Sequence, residues 1–219
     1  MFRLLFVAAA LLTLPVSTGA QSPPSAQDVA RELQDRYDKV RDFAADFTHT
    51  YEGGVLKKTT TERGTLQVKK PGRMRWEYTS PEHKLFVSDG SKIYSYIPAD
   101  KQVIVSSMPE DDSATTAVLF LAGKGNLTRD FVVSYGEQGA DDTYTLKLEP
   151  RHRQRDYDWL VLAVDRGSMQ IRTLVAAERE GGRSTFQFTN YRENIGLPDK
   201  TFTFKIPRGA DVIHADSGR

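Results

Sequence analysis

Residues 69–78 have the sequence KKPGRMRWEY, in which a Pro-Gly turn signal precedes a run with an apolar side chain at every second position. Met74, Trp76 and Tyr78 are the apolar and aromatic members of this run, and charged residues separate them. Successive side chains of a β-strand point to opposite faces of the sheet, so this period of two predicts a strand with one apolar face. The charged face is typical of an antiparallel sheet with one side in water.

The period of two continues from about Asp46 along most of the chain, and turn signals that contain Gly, Pro or Asp separate the runs. Besides Met74–Tyr78, strands are predicted at Thr59–Lys69, Lys84–Ser88, Lys92–Ile97, Gln102–Ser106, Phe131–Tyr135, Tyr144–Leu148, Leu160–Val164, Ile171–Ala177, Thr185–Tyr191 and Thr201–Ile206. Strands this close in sequence pair with their neighbours. The sequence therefore predicts a mainly β (α+β) fold, with an antiparallel sheet of about ten or eleven strands that curls because strands twist.

One amphipathic helix is predicted before the sheet. Ser25 and Asp28 resemble a capping box, and apolar residues recur at steps of three or four from Val29 to Phe43. We therefore expect a helix over 26–43, with one stripe that packs against the core and a charged remainder in water.

A second helix is predicted in the middle of the chain, over 114–122. Asp111–Ser113 supply capping groups for its start, and Gly123–Gly125 is a stop signal. Val118–Leu121 make it apolar around most of its circumference, so it needs cover on more than one side. A curled sheet needs an apolar filler on its concave face as well. We expect the two helices to plug the open mouth of the sheet imperfectly and to leave an apolar ligand cavity.

The N-terminus has the three parts of a secretory signal peptide: Arg3, the apolar run Leu4–Leu14, and small residues at Thr18–Ala20. We expect residues 1–20 to be removed and residues 21–219 to form a single domain. The chain has no cysteine, which excludes disulfides, thiolate metal sites and a lipid-modified cysteine. Its 30 basic and 29 acidic residues balance, so we expect no general attraction to nucleic acid.

Motifs for covalent chemistry are missing from the sequence: there is no Gly-x-Ser-x-Gly elbow, Walker loop or dinucleotide fingerprint. The histidines His49, His83, His152 and His214 lack metal-ligand spacing, and we expect them at surface or edge positions. The basic run 151–155 is compatible with a nucleic-acid or acidic-partner contact, but a solvated hairpin loop accounts for it better. We therefore expect no catalytic residue, no cofactor and no metal site.

The strand at 69–78, followed by the Ser-Asp-Gly hairpin at 88–90, resembles the periplasmic outer-membrane lipoprotein carrier proteins, the LolA family. The resemblance extends over the mature chain, including the mid-chain helix and residues 202–204. It implies an unclosed antiparallel β-barrel that helices cap, with the mid-chain helix as a lid. It also implies a monomeric periplasmic carrier, which accepts acylated lipoproteins from an inner-membrane lipoprotein-releasing ABC transporter and delivers them to an outer-membrane lipoprotein receptor.

Acyl chains are expected to contact apolar positions of the strand and of the lid, namely Met74, Trp76, Tyr78, Val118, Leu119, Phe120 and Leu121. For Trp76 and Tyr78, ordinary core packing is an equal alternative. In the family, a basic residue just before the proline bonds to the lid backbone and keeps the empty cavity shut. Lys70 has that position here, where many members carry arginine. The lid contains Thr116–Ala117 in place of the family's Thr-Pro pair, so its entry is less rigid.

Two alternatives to a carrier stay open on the sequence. A lipid- or lipoprotein-sensing module of the same fold would normally be anchored through a cysteine, and the chain has none. A hydrolase that used the cavity as its active site would need a nucleophile and a base, and neither is recognisable. Recovery of a bound lipid in intact form separates the hydrolase from the other two.

Overall fold

A computed structural model describes residues 23–54, 58–108, 121–137, 139–154, 156–179 and 181–215. The predicted signal peptide, residues 1–20, lies outside this part of the chain, and so does the predicted mid-chain helix up to residue 120. The main element is one 12-stranded sheet. Its strands are β1 Asp42–Glu52, β2 Thr59–Lys69, β3 Arg73–Ser80, β4 Lys84–Asp89, β5 Lys92–Ile97, β6 Gln102–Ser107, β7 Phe131–Tyr135, β8 Thr143–Pro150, β9 Tyr157–Asp165, β10 Ile171–Glu178, β11 Arg183–Glu193 and β12 Asp211–His214.

The described residues contain two α-helices and two 3₁₀ turns. They are the helices α1 Ala26–Lys39 and α2 Leu127–Asp130, with 3₁₀ turns at Pro98–Asp100 and Asp199–Phe202. The strand order is β12-β6-β5-β4-β3-β2-β1-β11-β10-β9-β8-β7. Every neighbouring pair is antiparallel except β12, which runs parallel to β6. Because β12 and β7 lie at opposite ends of this order, the sheet is unclosed, and the predicted fold class is confirmed.

Helix α1 begins as predicted but ends earlier. The Ser25 hydroxyl accepts the Asp28 N–H at 3.2 Å and caps the first turn. The last helical residue is Lys39, and Val40 already has an extended backbone. The prediction that the helix reaches Phe43 is therefore wrong: Phe43 lies in β1, where it pairs with Val68. Its spacing matched the helical period because α1 and β1 bury side chains in the same core.

The prediction of a strand at Thr201–Ile206 is also wrong. Residues 199–202 form a 3₁₀ turn, and the strand near the C-terminus is β12. Phe202 is buried, and the Phe204 ring packs against the rings of Tyr94 and Tyr96, at 5.4 and 5.8 Å between centroids. The alternating phenylalanines therefore cover the outer face of the sheet rather than extend it.

The core lies between α1 and one face of the sheet, which we call the inner face. One contiguous cluster of buried residues joins Val29 and Leu33 of α1 to Leu66 of β2 and to Leu148 and Leu160 of β8 and β9. Both meanders of the sheet, β1–β6 and β7–β11, thus contribute to a single core. This arrangement places the inner-face side chains of β3 deep in the protein.

Asp42 is a buried carboxylate at the start of β1, only 5% exposed. It accepts the backbone N–H of Ile195 at 2.8 Å and of Gly196 at 3.1 Å, so it fixes the chain that leaves β11. We expect Asp42→Ala to lower the free energy of unfolding by about 2 kcal/mol, because two backbone N–H groups lose their charged acceptor. Urea unfolding measures this, and Asp100→Ala at an exposed carboxylate is the control, with an expected change below about 0.5 kcal/mol. Equal effects of the two substitutions would contradict the assignment.

Candidate functional site

The predicted strand residues share the inner face of β3. Met74, Trp76 and Tyr78 are 4%, 3% and 7% exposed, and the charged residues between them lie on the outer face. Leu66 of β2 and Phe86 of β4 are the direct cross-strand partners of Trp76. The period of two therefore predicted the orientation of this strand correctly.

Aromatic side chains from three strands surround Trp76. The ring of Phe47 on β1 lies 5.0 Å from Trp76 and 4.8 Å from Tyr78, both edge-to-face. Phe186 and Phe188 on β11 lie 5.3 and 6.3 Å from Trp76. We call these five residues the aromatic wall. They pack as core. The contact of Trp76 and Tyr78 with acyl chains stays a prediction.

Two hydrogen bonds attach the end of the predicted lid, and Gly123 lies close to Lys70. The Tyr37 hydroxyl donates to the Leu121 carbonyl at 2.5 Å, and the Gly72 N–H donates to the Ala122 carbonyl at 2.9 Å. Gly123 has a φ of +81°, and a Cβ on it would lie 2.5 Å from Lys70 Cδ, so glycine is required for this close approach. We call residues 121–123 with these partners the lid attachment. Val118, Leu119 and Phe120 of the predicted site lie outside the described residues.

Lys70 contacts α1 at the base of the lid attachment. Its ammonium donates to the carbonyl of Tyr37 and lies 3.8 Å from the centre of the Tyr37 ring. The family resemblance implies a bond from this residue to the lid backbone, whereas the contact among the described residues runs through Tyr37, which in turn holds Leu121. The role of Lys70 as a latch stays a prediction, and Tyr37, on the apolar stripe of the predicted N-terminal helix, was not expected to take part in it.

Burial controls the protonation of this pair. It raises the pKa of the Tyr37 phenol well above its usual value, so the hydroxyl keeps its proton and stays a donor to Leu121. Burial also lowers the pKa of Lys70 to about 8, although the carboxylates of Asp38 and Glu193 act in the opposite direction. Lys70 is therefore charged at neutral pH and is the more sensitive of the two groups to alkaline conditions.

His49 is a second polar residue that the sequence analysis missed. The prediction of a surface or edge position is wrong for it, since β1 is a central strand and the side chain is 14% exposed. Its ring stacks on Phe186 at 4.2 Å, and Nδ1 lies 3.4 Å from Glu62 Oε2. Burial lowers the pKa of His49, which favours the neutral imidazole at pH 7. His49 follows Phe47 by two residues, so both side chains lie on the same face of β1. This spacing could have predicted the burial of His49 from the sequence.

Clusters of three or more side chains suitable for a metal ion do not occur in the described ranges. The helices described here include none that combines the length and the apolar composition needed to cross a bilayer.

The family described as outer membrane lipoprotein carrier protein LolA matches residues 38–205, which is most of the chain. The chain belongs to the LolA family. A LolA-family relative from Chromohalobacter salexigens, named outer-membrane lipoprotein carrier protein, is 29% identical over 212 residues and covers 97% of both chains. A relative of the same name from Pseudomonas syringae pv. syringae is 30% identical over 190 residues, which are 85% of this chain and 88% of that protein.

A solved structure supports the fold alone. An uncharacterized conserved protein from Thermus thermophilus superposes with a TM-score of 0.53 at 13% identity, covering 84% of this chain and 98% of its own. The LolA match itself includes the aromatic wall, Lys70 and the lid attachment except Tyr37, which lies just before its first residue. The candidate site thus lies almost entirely within the part of the chain that defines the family.

Proposed function

We propose that this LolA-family protein is a periplasmic carrier, which shelters the acyl chains of lipoproteins between the aromatic wall and the lid. The observation that carries the proposal is that the buried aromatic wall shares one apolar cluster with the lid end at Leu121 and Ala122, which hydrogen bonds connect to Tyr37 and Gly72. The relatives named outer-membrane lipoprotein carrier protein support it.

An acyl chain needs such shelter in water. A buried methylene contributes about 0.8 kcal/mol, so a 16-carbon chain represents about 12 kcal/mol when exposed. Each of the two described hydrogen bonds of the lid attachment contributes only about 1 kcal/mol net. Cargo that binds the open form more tightly than the closed form can therefore shift the lid toward opening.

The direction of transfer follows from the partners that we propose. Acylated lipoproteins come from an inner-membrane lipoprotein-releasing ABC transporter and pass to an outer-membrane lipoprotein receptor, while residues 21–219 act as a monomer after removal of residues 1–20. The carrier performs no covalent chemistry in this proposal. Energy for loading comes from the transporter, and delivery runs toward the partner that binds the cargo more tightly.

Binding of an acylated peptide tests the proposal. We expect the purified mature protein to bind a diacylglyceryl-cysteine peptide and to release it unaltered, as mass spectrometry of the recovered lipid measures. Leu119→Glu, in the predicted lid, is expected to weaken binding at least about tenfold, because a carboxylate there would be taken from water into an apolar site.

Val132→Glu is the matched control for this substitution. Val132 is 45% exposed on β7, so the same added charge leaves binding unchanged. The melting temperatures of both variants should stay close to that of the parent protein. A parent protein that binds no acylated peptide, or that returns it hydrolysed, would refute the carrier.

A further inference from the structure

The aromatic wall contains a polar atom that packing alone does not require. Trp76 is 3% exposed, and its indole Nε1 has no hydrogen-bond acceptor among the described residues. Its ring neighbours Phe47, Phe186 and Phe188, and its cross-strand partner Phe86, offer none. Phenylalanine therefore occupies these four positions around the buried N–H donor of Trp76.

A second polar group lies on the same wall. His49 Nδ1 lies 3.4 Å from Glu62 Oε2, a long and weak contact, and Nε2 has no hydrogen-bond partner among the described residues. His49 and Trp76 both contact the ring of Phe186, at 4.2 and 5.3 Å. Two buried polar groups therefore flank Phe186.

Unpaired buried donors are rare and costly, so a partner for Trp76 is expected in one working state of the protein. An acyl chain offers a suitable partner, because its carbonyl oxygen accepts hydrogen bonds. An anionic head group fits less well: the nearby Lys84 ammonium is already paired with Glu62 at 2.5 Å, and the Glu62 carboxylate would repel an anion.

We propose that the Trp76 indole N–H donates to the carbonyl oxygen of an ester- or amide-linked acyl chain of the cargo, with the His49 imidazole as a second polar contact. This inference rests on the proposed carrier function and adds a specificity determinant to it. The wall then distinguishes an acyl chain from a plain hydrocarbon chain and fixes how far the chain enters.

Matched ester and ether probes test the inference. The probes are a diacylglyceryl-cysteine peptide and its dialkyl ether analogue of equal chain length, with an N-acyl peptide as a third arm that separates amide from ester carbonyls. The parent protein is expected to bind the ester about tenfold more tightly than the ether. Trp76→Phe is expected to lose the preference for the ester, so that its affinities for the ester and the ether become equal.

Phe186→Leu is the control for packing, and it should weaken the binding of both lipids by the same factor. A direct readout uses the Trp159→Phe background, in which Trp76 is the only tryptophan of the chain. There the ester probe is expected to shift the tryptophan emission to longer wavelength, and the ether probe is not.

The outcomes separate this inference from the carrier proposal. Equal affinity of the parent protein for ester and ether, or an unchanged ester preference in Trp76→Phe, would overturn the role of the indole and leave the carrier intact. Failure of the parent protein to bind any of the three probes would overturn both.

Discussion

Gly64→Ala is expected to destabilise the protein by at least about 3 kcal/mol, or to prevent folding. A Cβ at this position would lie 2.1 Å from the Glu77 carbonyl oxygen and 2.8 Å from Phe47 Cζ. The carbonyl belongs to the neighbouring strand β3, so the clash is with backbone that cannot rotate away. Relief would require β2 and β3 to separate next to the bulge at Arg63 and Gly64.

Urea unfolding of the parent protein and the variant measures this effect. Gly167→Ala is the matched control, since the nearest atom to its added Cβ is Asp165 Oδ1 at an ordinary 3.5 Å. We expect that control to change the free energy of unfolding by less than about 0.5 kcal/mol. A Gly64→Ala protein as stable as the Gly167→Ala protein would show that the β2–β3 spacing is not as tight as described.

Lys70→Leu is expected to leave the acceptance of acylated cargo intact and to slow its release to the receptor about tenfold. The ammonium holds Tyr37 through its carbonyl and its ring, and Tyr37 holds Leu121, so the variant loses the support of the closed, empty state. A charge-assisted hydrogen bond that is partly screened by solvent contributes about 1 to 2 kcal/mol, which corresponds to that factor. Transfer in a reconstituted assay measures the rate, and Lys70→Arg, which keeps the charge, should transfer at nearly the parent rate. Unchanged transfer by Lys70→Leu would count against the latch.

Alkaline pH tests the burial of Lys70 independently of cargo transfer. The pKa of Lys70 is about 8 in the folded protein and takes its ordinary value of 10.5 when the chain unfolds. Between these values the unfolded chain binds a proton that the folded protein does not, so stability rises with pH in this window. Relative to Lys70→Leu, the parent protein should gain about 1 kcal/mol between pH 8 and 10, less than the full shift because Lys70 is partly exposed. Lys70→Arg should show no such gain.

The period of two was a reliable guide wherever one face of a strand is buried. It predicted β2, β5 and β7 with their observed bounds, because buried and exposed positions alternate along them or their turns are marked by Gly and Pro. It failed at Thr201–Ile206, where Phe202 and Phe204 pack on the outside of the sheet without joining it. An alternating pattern indicates which side chains are buried. It does not indicate whether the backbone forms hydrogen bonds with a neighbouring strand.

Only the part of the candidate site that depends on local geometry was predicted from the sequence. Met74, Trp76 and Tyr78 share a face by local geometry, which a short stretch of sequence determines. The contacts of Lys70 with Tyr37, and of His49 with Phe186, join residues that are distant in the chain. Such contacts depend on how β1 pairs with β2 and β11, and no local pattern contains that information.

The pairing of β1 with β11 also has a consequence for how the chain folds. Each of the two meanders forms from hairpins between successive strands, which need only short loops to close. The pair that joins the meanders brings together opposite ends of the chain, so its entropic cost of closure is the largest in the sheet. We therefore expect the pairing of β1 with β11, near the middle of the finished sheet, to form late in folding, after the hairpins on either side of it.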